Sequence, residues 1–216
     1  MTPTRTKVVY VTTSEFKAQE NEILSRNCSL KDGSPVGELF EFDVRPIQVK
    51  EVLEIDLKTM VMAEVTKAYS QIKVPCIVEH AGLIFDGYDL YPGGLTKPMW
   101  NSLREKFVEE THSAGRRATA RAVVAYCDGR SVHTFVGETA GTIAEQPRGN
   151  RAFYWDTIFI PDDPTGGVNG KTYAEIFDAP GFGLKYKMTV LSQSARAMLA
   201  FLEFRRSNQP DLWPRA

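Results

Sequence analysis

Most of the signatures that announce a chemistry are missing from this chain. It has no glycine-rich phosphate loop, no dinucleotide-binding glycine fingerprint, no zinc-ligand spacing and no nucleophile elbow. An excess of charge of one sign is missing too. The 26 Lys and Arg residues stand against 27 Asp and Glu, a net charge of −1, so no long-range field draws nucleic acid or an anionic membrane. Any anion bound here must be held by a local pocket. The three cysteines, Cys28, Cys76 and Cys127, are odd in number, far apart and without metal-ligand spacing, which predicts reduced thiols in a cytoplasmic setting. No apolar run approaches the roughly 18 residues of a membrane span. The opening MTPTRTKVVYV carries too short an apolar stretch for a signal peptide.

What is present is an ordinary globular composition, 43% hydrophobic and 25% charged over 216 residues. That is enough for a sizeable core in one domain or two closely joined lobes. Residues 7–12 are a compact apolar run that stops at Thr12-Thr13-Ser14, and an amphipathic segment with Phe16, Ile23 and Leu24 follows. This reads as strand, tight turn and helix. Ser14 is suited to cap the helix, and free amides there, with Lys17 one turn in, suit a phosphate. A second strand is expected at 39–44, before Arg45-Pro46. From 51 to 72 the apolar positions recur at three- and four-residue steps, predicting a helix with Glu51 and Glu54 near its beginning. Carboxylates there serve the helix dipole or reach a divalent ion.

The rest of the chain is organised around residues 74–100. A short strand at 75–78 ends in Glu79 and His80, the chain turns through Gly82, and a Pro92-Gly93-Gly94 loop delivers Lys97 to a helix start. Ionisable groups gathered where a strand stops are the usual makings of a site. Met99, Trp100, Leu103, Phe107 and Val108 give the following helix one apolar face. Asp128-Gly129 between strand-like runs predicts a long β-hairpin reaching Gly141-Thr142-Ile143. Then come Phe153-Tyr154-Trp155-Asp156, a strand at 157–160, an exposed loop at 162–170, a helical turn at 172–177 and a last helix at 192–206. The pattern is that of an α/β core. Its candidate ligand groups are lysines at 17, 97, 185 and 187, acids at 51, 54, 79 and 156, and aromatics at 153 to 155. Lysines neutralise phosphates, carboxylates hold magnesium and rings stack on a base, so a nucleoside triphosphate with Mg²⁺ would use all three sets.

The order of these segments resembles the inosine triphosphate pyrophosphatase family, whose members cleave noncanonical purine triphosphates to monophosphate and pyrophosphate. The resemblance covers roughly residues 7–204. It is carried by Thr12-Thr13-Ser14 with Lys17 and Glu20, by Glu79-His80-Ala81-Gly82-Leu83, by Pro92-Gly93 with Lys97, by Gly141-x-Ile143 with Pro147-Arg148-Gly149, by Phe153-Tyr154-Trp155-Asp156, and by Thr172-Tyr173-Ala174-Glu175. It implies a single domain with a central mixed sheet, flanking helices, a long β-hairpin lobe and a cleft between lobes. It also implies a homodimer, Mg²⁺ held by Glu51, Glu54 or Glu79, phosphates on Thr12, Ser14, Lys17, Lys97 and Lys187, and a base among Phe153, Tyr154, Trp155, Asp156, Gln193 and Arg196.

Two departures fall on functional positions. His80 stands where the family has the second acid of its strand-end pair, and the late Ser-His-Arg is matched only by Ser192-Gln193-Ser194. Imidazole is a poor ligand for a hard ion such as Mg²⁺. The leading expectation is therefore a nucleotide sensor that has lost hydrolysis and reports to an effector protein, as dITP-detecting relatives do in bacterial anti-phage systems. The alternative is an active pyrophosphatase in which Glu79 and an upstream glutamate bind Mg²⁺ and His80 is the base.

Overall fold

The computed structural model describes residues 5–210, without the side chains of residues 110, 112–114, 151 and 153. Its strands are β1 (Thr6–Val11), β2 (Phe40–Arg45), β3 (Cys76–Phe85), β4 (Arg117–Cys127), β5 (Val132–Ile143) and β6 (Phe159–Pro161). Its helices are α1 (Glu15–Asn27), α2 (Val36–Leu39), α3 (Leu57–Ile72), α4 (Thr96–Leu103), α5 (Tyr173–Phe177), α6 (Gly183–Tyr186) and α7 (Gln193–Ser207). The strands make one mixed sheet in the order β2-β1-β3-β4-β5-β6. Pairing is parallel across β2, β1 and β3 and antiparallel from β3 onward.

β3 belongs to both halves. It pairs with β1 only at Cys76 and Ile77, but with β4 along its whole length. Beyond Ile77 it leaves the parallel half and runs on as part of an antiparallel arm. Three cores follow from this division. Even-numbered residues of β1 pack with α7 and α1, through Val8, Tyr10, Leu24, Met198 and Phe201. Odd-numbered residues face α3, through Val9, Val11, Met60, Val61 and Val65. A third core lies under the arm around Leu83, Phe85, Trp100, Phe107 and Tyr173.

Several expectations change in the structure. The helix predicted from residue 51 begins at Leu57, because Asp56 caps it by accepting from the amides of Lys58 (3.0 Å) and Thr59 (3.3 Å). Glu51 and Glu54 therefore lie in the preceding loop, and Leu53 between them is 75% exposed. The strand predicted at 75–78 is ten residues long and passes straight through Gly82. Gly82 is in the strand because the Gly93 carbonyl packs against its Cα, where a Cβ would collide. Thr96 fastens the same contact, its hydroxyl accepting from the Leu83 amide at 2.8 Å and donating to the Gly93 carbonyl at 2.7 Å.

The helix expected to carry Trp100 through Val108 stops at Leu103, where Arg104 has φ +54°; Phe107 and Val108 reach the same core from a 3₁₀ segment. The strand expected at 157–160 is reduced to β6, since Thr157 closes a 3₁₀ turn by donating to the Tyr154 carbonyl. The other predicted elements stand where expected. Ser14, Thr172 and Ser192 cap α1, α5 and α7 with their hydroxyls.

Candidate functional site

A cleft of about 250 Å³ opens where β3 parts from β1. Successive strand residues point to opposite faces, so Glu79 and His80, adjacent in sequence, enter different surroundings. Glu79 turns to the α7 face and His80 to the α3 face, with separate partners.

On the α7 face the charges are paired inside the protein. Glu79 is 6% exposed; its Oε2 accepts from the Tyr10 hydroxyl and its Oε1 from the Ser194 hydroxyl, each at 2.8 Å. Lys17, one turn into α1, donates to the Glu79 main-chain carbonyl and keeps its Nζ 3.7 Å from Oε2. Burial pushes the Glu79 carboxyl up, but Lys17, the two hydroxyls and His80 outweigh it and hold it below the usual carboxylate range. Burial, with Glu79 beside it, pushes the Tyr10 phenol well above its ordinary value. Next to this group the buried Lys187 Nζ lies 2.6 Å from Asp156 Oδ2, 3.3 Å from Glu20 Oε1 and 4.9 Å from the centre of the Tyr173 ring. Burial would lower the Lys187 pKa, yet the two carboxylates raise it overall. Burial pushes Glu20 up despite Lys187. Gln193 Oε1 accepts from the Tyr173 hydroxyl at 3.0 Å.

The α3 face is different. His80 Nε2 lies 2.7 Å from Oε2 of Glu64, a buried carboxylate one helical turn beyond Met60. The other oxygen, Oε1, is buried with no hydrogen-bond partner among the described residues. Glu51 completes the group: one donor atom from each of Glu51, Glu64 and His80 lies within 4.8 Å of the others. Lys97 Nζ stands 3.6 Å from Glu51 Oε1. Glycine holds this arrangement in place. Gly93 (φ +53°) and Gly94 pack their Cα atoms on the carbonyls of Ile55 and Glu54, which leaves no room for a side chain and fixes the 51–56 loop beside the Lys97 turn.

A family model described as the Ham1 family matches residues 8–201, nearly the whole chain. This chain belongs to the Ham1 family. Among curated Ham1-type relatives, the inosine triphosphate pyrophosphatase of Kluyveromyces lactis is 30% identical over 203 residues, covering 92% of this chain and 95% of that protein. The dITP/XTP pyrophosphatase of Hyperthermus butylicus is 29% identical over 176 residues, 78% of this chain and 82% of its own. The solved Ham1 protein of Coxiella burnetii superposes with a TM-score of 0.62 at 18% identity, over 92% of this chain and 99% of its own. The Staphylococcus aureus Ham1 protein gives 0.58 at 18%, over 91% and 99%. These superpositions bear out the expected mixed α/β fold.

Within this Ham1 fold the cleft gathers most of the residues singled out from sequence: Thr12, Ser14, Lys17, Glu51, Glu79, His80, Lys97, Tyr154, Trp155, Asp156, Lys187 and Gln193 all line it. Four readings need correction or restriction. Glu54, expected as a metal ligand, turns its Oε1 to the amides of Ile55 (2.8 Å) and Asp56 (3.2 Å) and does not line the cleft. Arg196, expected at the base, fastens α7 to β5 by donating to the Glu138 carbonyl and, at 2.6 Å, to the Thr139 hydroxyl. Glu79, expected as both catalytic group and metal ligand, lies outside the Glu51–Glu64–His80 group and is occupied by Tyr10, Ser194 and Lys17. Of the aromatic run, Trp155 is buried in the arm core and Tyr154 is the exposed ring; the Phe153 side chain lies outside the described residues.

Glu64 was missed from sequence, although its signal is there. It interrupts the buried stripe Leu57, Met60, Val61, Val65 and Ala68 on α3. A carboxylate on the core face of a helix needs a partner. Ser194 was given no role, although it is the last residue of the matched Ser192-Gln193-Ser194 segment.

Proposed function

We propose that this Ham1 chain hydrolyses noncanonical purine nucleoside triphosphates to the monophosphate and pyrophosphate. The observation that carries the reading is that one cleft is lined by Lys17 and Lys97, by the Glu51–Glu64–His80 group, and by Tyr154, Asp156 and Gln193. The names of the relatives from Kluyveromyces lactis and Hyperthermus butylicus support the same reading. Lys17 and Lys97 are the cations placed to neutralise phosphate. Lys187 acts through Asp156, holding that carboxylate in position where the base would lie. Gln193, fixed by Tyr173, presents its amide to a purine edge.

The Glu51–Glu64–His80 group suits a divalent cation, because Glu64 Oε1 is buried without a partner and two carboxylates offset the ion's charge. When bound, such an ion would draw charge from the phosphates. Glu64 orients His80 through Nε2, so the imidazole stands at the phosphate end as a ligand or as an acceptor for the proton that attacking water gives up.

The test is pyrophosphate release from ITP, dITP and XTP, compared with ATP and GTP, with nucleotide binding measured on the same samples. Release with preference for the inosine and xanthosine nucleotides is expected. His80→Ala should lower kcat/KM by about 100-fold or more. A second reading, binding without turnover by a sensor subunit that reports to an effector, is favoured by the imidazole at position 80. It would be supported by tight binding of inosine nucleotides with no release.

A further inference from the structure

The donor set on the α3 face is mixed. Two carboxylates, one buried and one half exposed, meet one imidazole nitrogen within 4.8 Å. Glu64 has one oxygen committed to His80 and one, buried, with no hydrogen-bond partner among the described residues. A buried carboxylate oxygen without a donor is costly unless a cation satisfies it. Lys97 pairs with Glu51, its Nζ 3.6 Å from Oε1.

Magnesium is a hard ion that prefers an all-oxygen shell and keeps its water, and it gains little from an imidazole. First-row transition dications gain from nitrogen, in the order Mn²⁺, Co²⁺, Zn²⁺. We propose that Glu51, Glu64 and His80 form a binding site for a transition-metal dication, and that this site discriminates against Mg²⁺. The ion then takes the place of the proton between His80 and Glu64, releasing it to solvent, and sits beside the phosphate. The placement beside phosphate rests on the function proposed above; the metal preference rests on the donor set alone. Glu79 has no part in it, since strand alternation sends it to the other face of the sheet.

The full chain, stripped of metal, is titrated with Co²⁺, Mn²⁺ and Mg²⁺ alone by calorimetry. The visible spectrum is followed for Co²⁺, and nitrogen coupling is sought in the Mn²⁺ electron-spin-echo signal. Co²⁺ should bind at least about tenfold tighter than Mg²⁺, and the Mn²⁺ signal should carry imidazole nitrogen coupling. His80→Asp should remove that coupling and erase the preference. Glu51→Gln changes a half-exposed residue that the fold does not need, and it should weaken Co²⁺ binding while leaving the circular dichroism unchanged. Equal affinity for Co²⁺ and Mg²⁺, absence of nitrogen coupling, or a His80→Asp protein that keeps the preference would each overturn the assignment. Pyrophosphate release is assayed separately, so the two failures can be told apart. Selective Co²⁺ binding without release would sustain the site and remove the hydrolytic reading; release supported by Mg²⁺ with no selective Co²⁺ binding would do the reverse.

Discussion

On the α7 face of β3, the charges have their partners inside the protein: Glu79 accepts from Tyr10 and Ser194, and Lys187 is shared by Glu20 and Asp156. On the α3 face, Glu64 leaves an oxygen unsatisfied, and Glu51 and Lys97 stand half exposed at 3.6 Å. The first arrangement is complete without a ligand, and its value lies in holding Asp156, Gln193 and the α1 start in fixed places. The second leaves Glu64 Oε1 buried without a hydrogen-bond partner among the described residues, as the metal site proposed above requires. Adjacent residues of one strand thus meet different surroundings, Glu79 among internal partners and His80 beside a carboxylate with an oxygen to spare.

If that contrast holds, the largest stability effect should come from the closed face. Lys187→Ala removes a buried cation from two mostly enclosed carboxylates, Glu20 (17% exposed) and Asp156 (15% exposed), and should cost about 3–5 kcal/mol of folding stability in urea titrations. A cost below about 1 kcal/mol would mean that the pair is less enclosed than its geometry requires.

Acid titration sharpens the comparison at intermediate size. Glu79 has its native pKa lowered. The stability it contributes is present above the unfolded value of about 4.3 and is lost as pH falls through the native value. Glu79→Gln should therefore flatten the decline in stability between about pH 5 and pH 3. Glu20 has its pKa raised, so its charged form costs stability that acid relieves. Glu20→Gln should steepen the same decline. Denaturant midpoints measured across that range check both signs, and two slopes of one sign would break the argument.

The smallest stability effect belongs to the open face. Lys97→Ala should change stability by less than about 1 kcal/mol, because its pair with Glu51 is exposed. The same change should raise the KM for inosine triphosphate about tenfold, as expected for losing a charge-assisted contact to phosphate. An unchanged KM would remove Lys97 from the site.

Features written in short-range chemistry were legible from sequence. The hairpin turn is made by the Asp128 side chain accepting from the amides of Arg130 (2.9 Å) and Ser131 (2.8 Å), and the expected cap at Ser14 is equally local. Errors arose where distant backbone intervened. Periodicity carried α3 back to Glu51, but the Gly93-Gly94 backbone holds residues 54 and 55 in a loop. A strand expected to end at Val78 continued to Phe85 because β4 pairs with all of it.

By itself the sequence determined the element order, the capped start of the first helix at Ser14, and a set of ionisable residues within motifs whose order resembles one family. Only the tertiary structure decided which of them meet. Glu64 joins His80 because α3 packs across the sheet face that carries Val9 and Val11 of β1 and Cys76 and Val78 of β3, and Glu79 is separated from His80 because a strand turns successive side chains to opposite sides. Local propensity acts over a few residues, whereas the distance between a helix carboxylate and a strand imidazole is set by how the whole core packs.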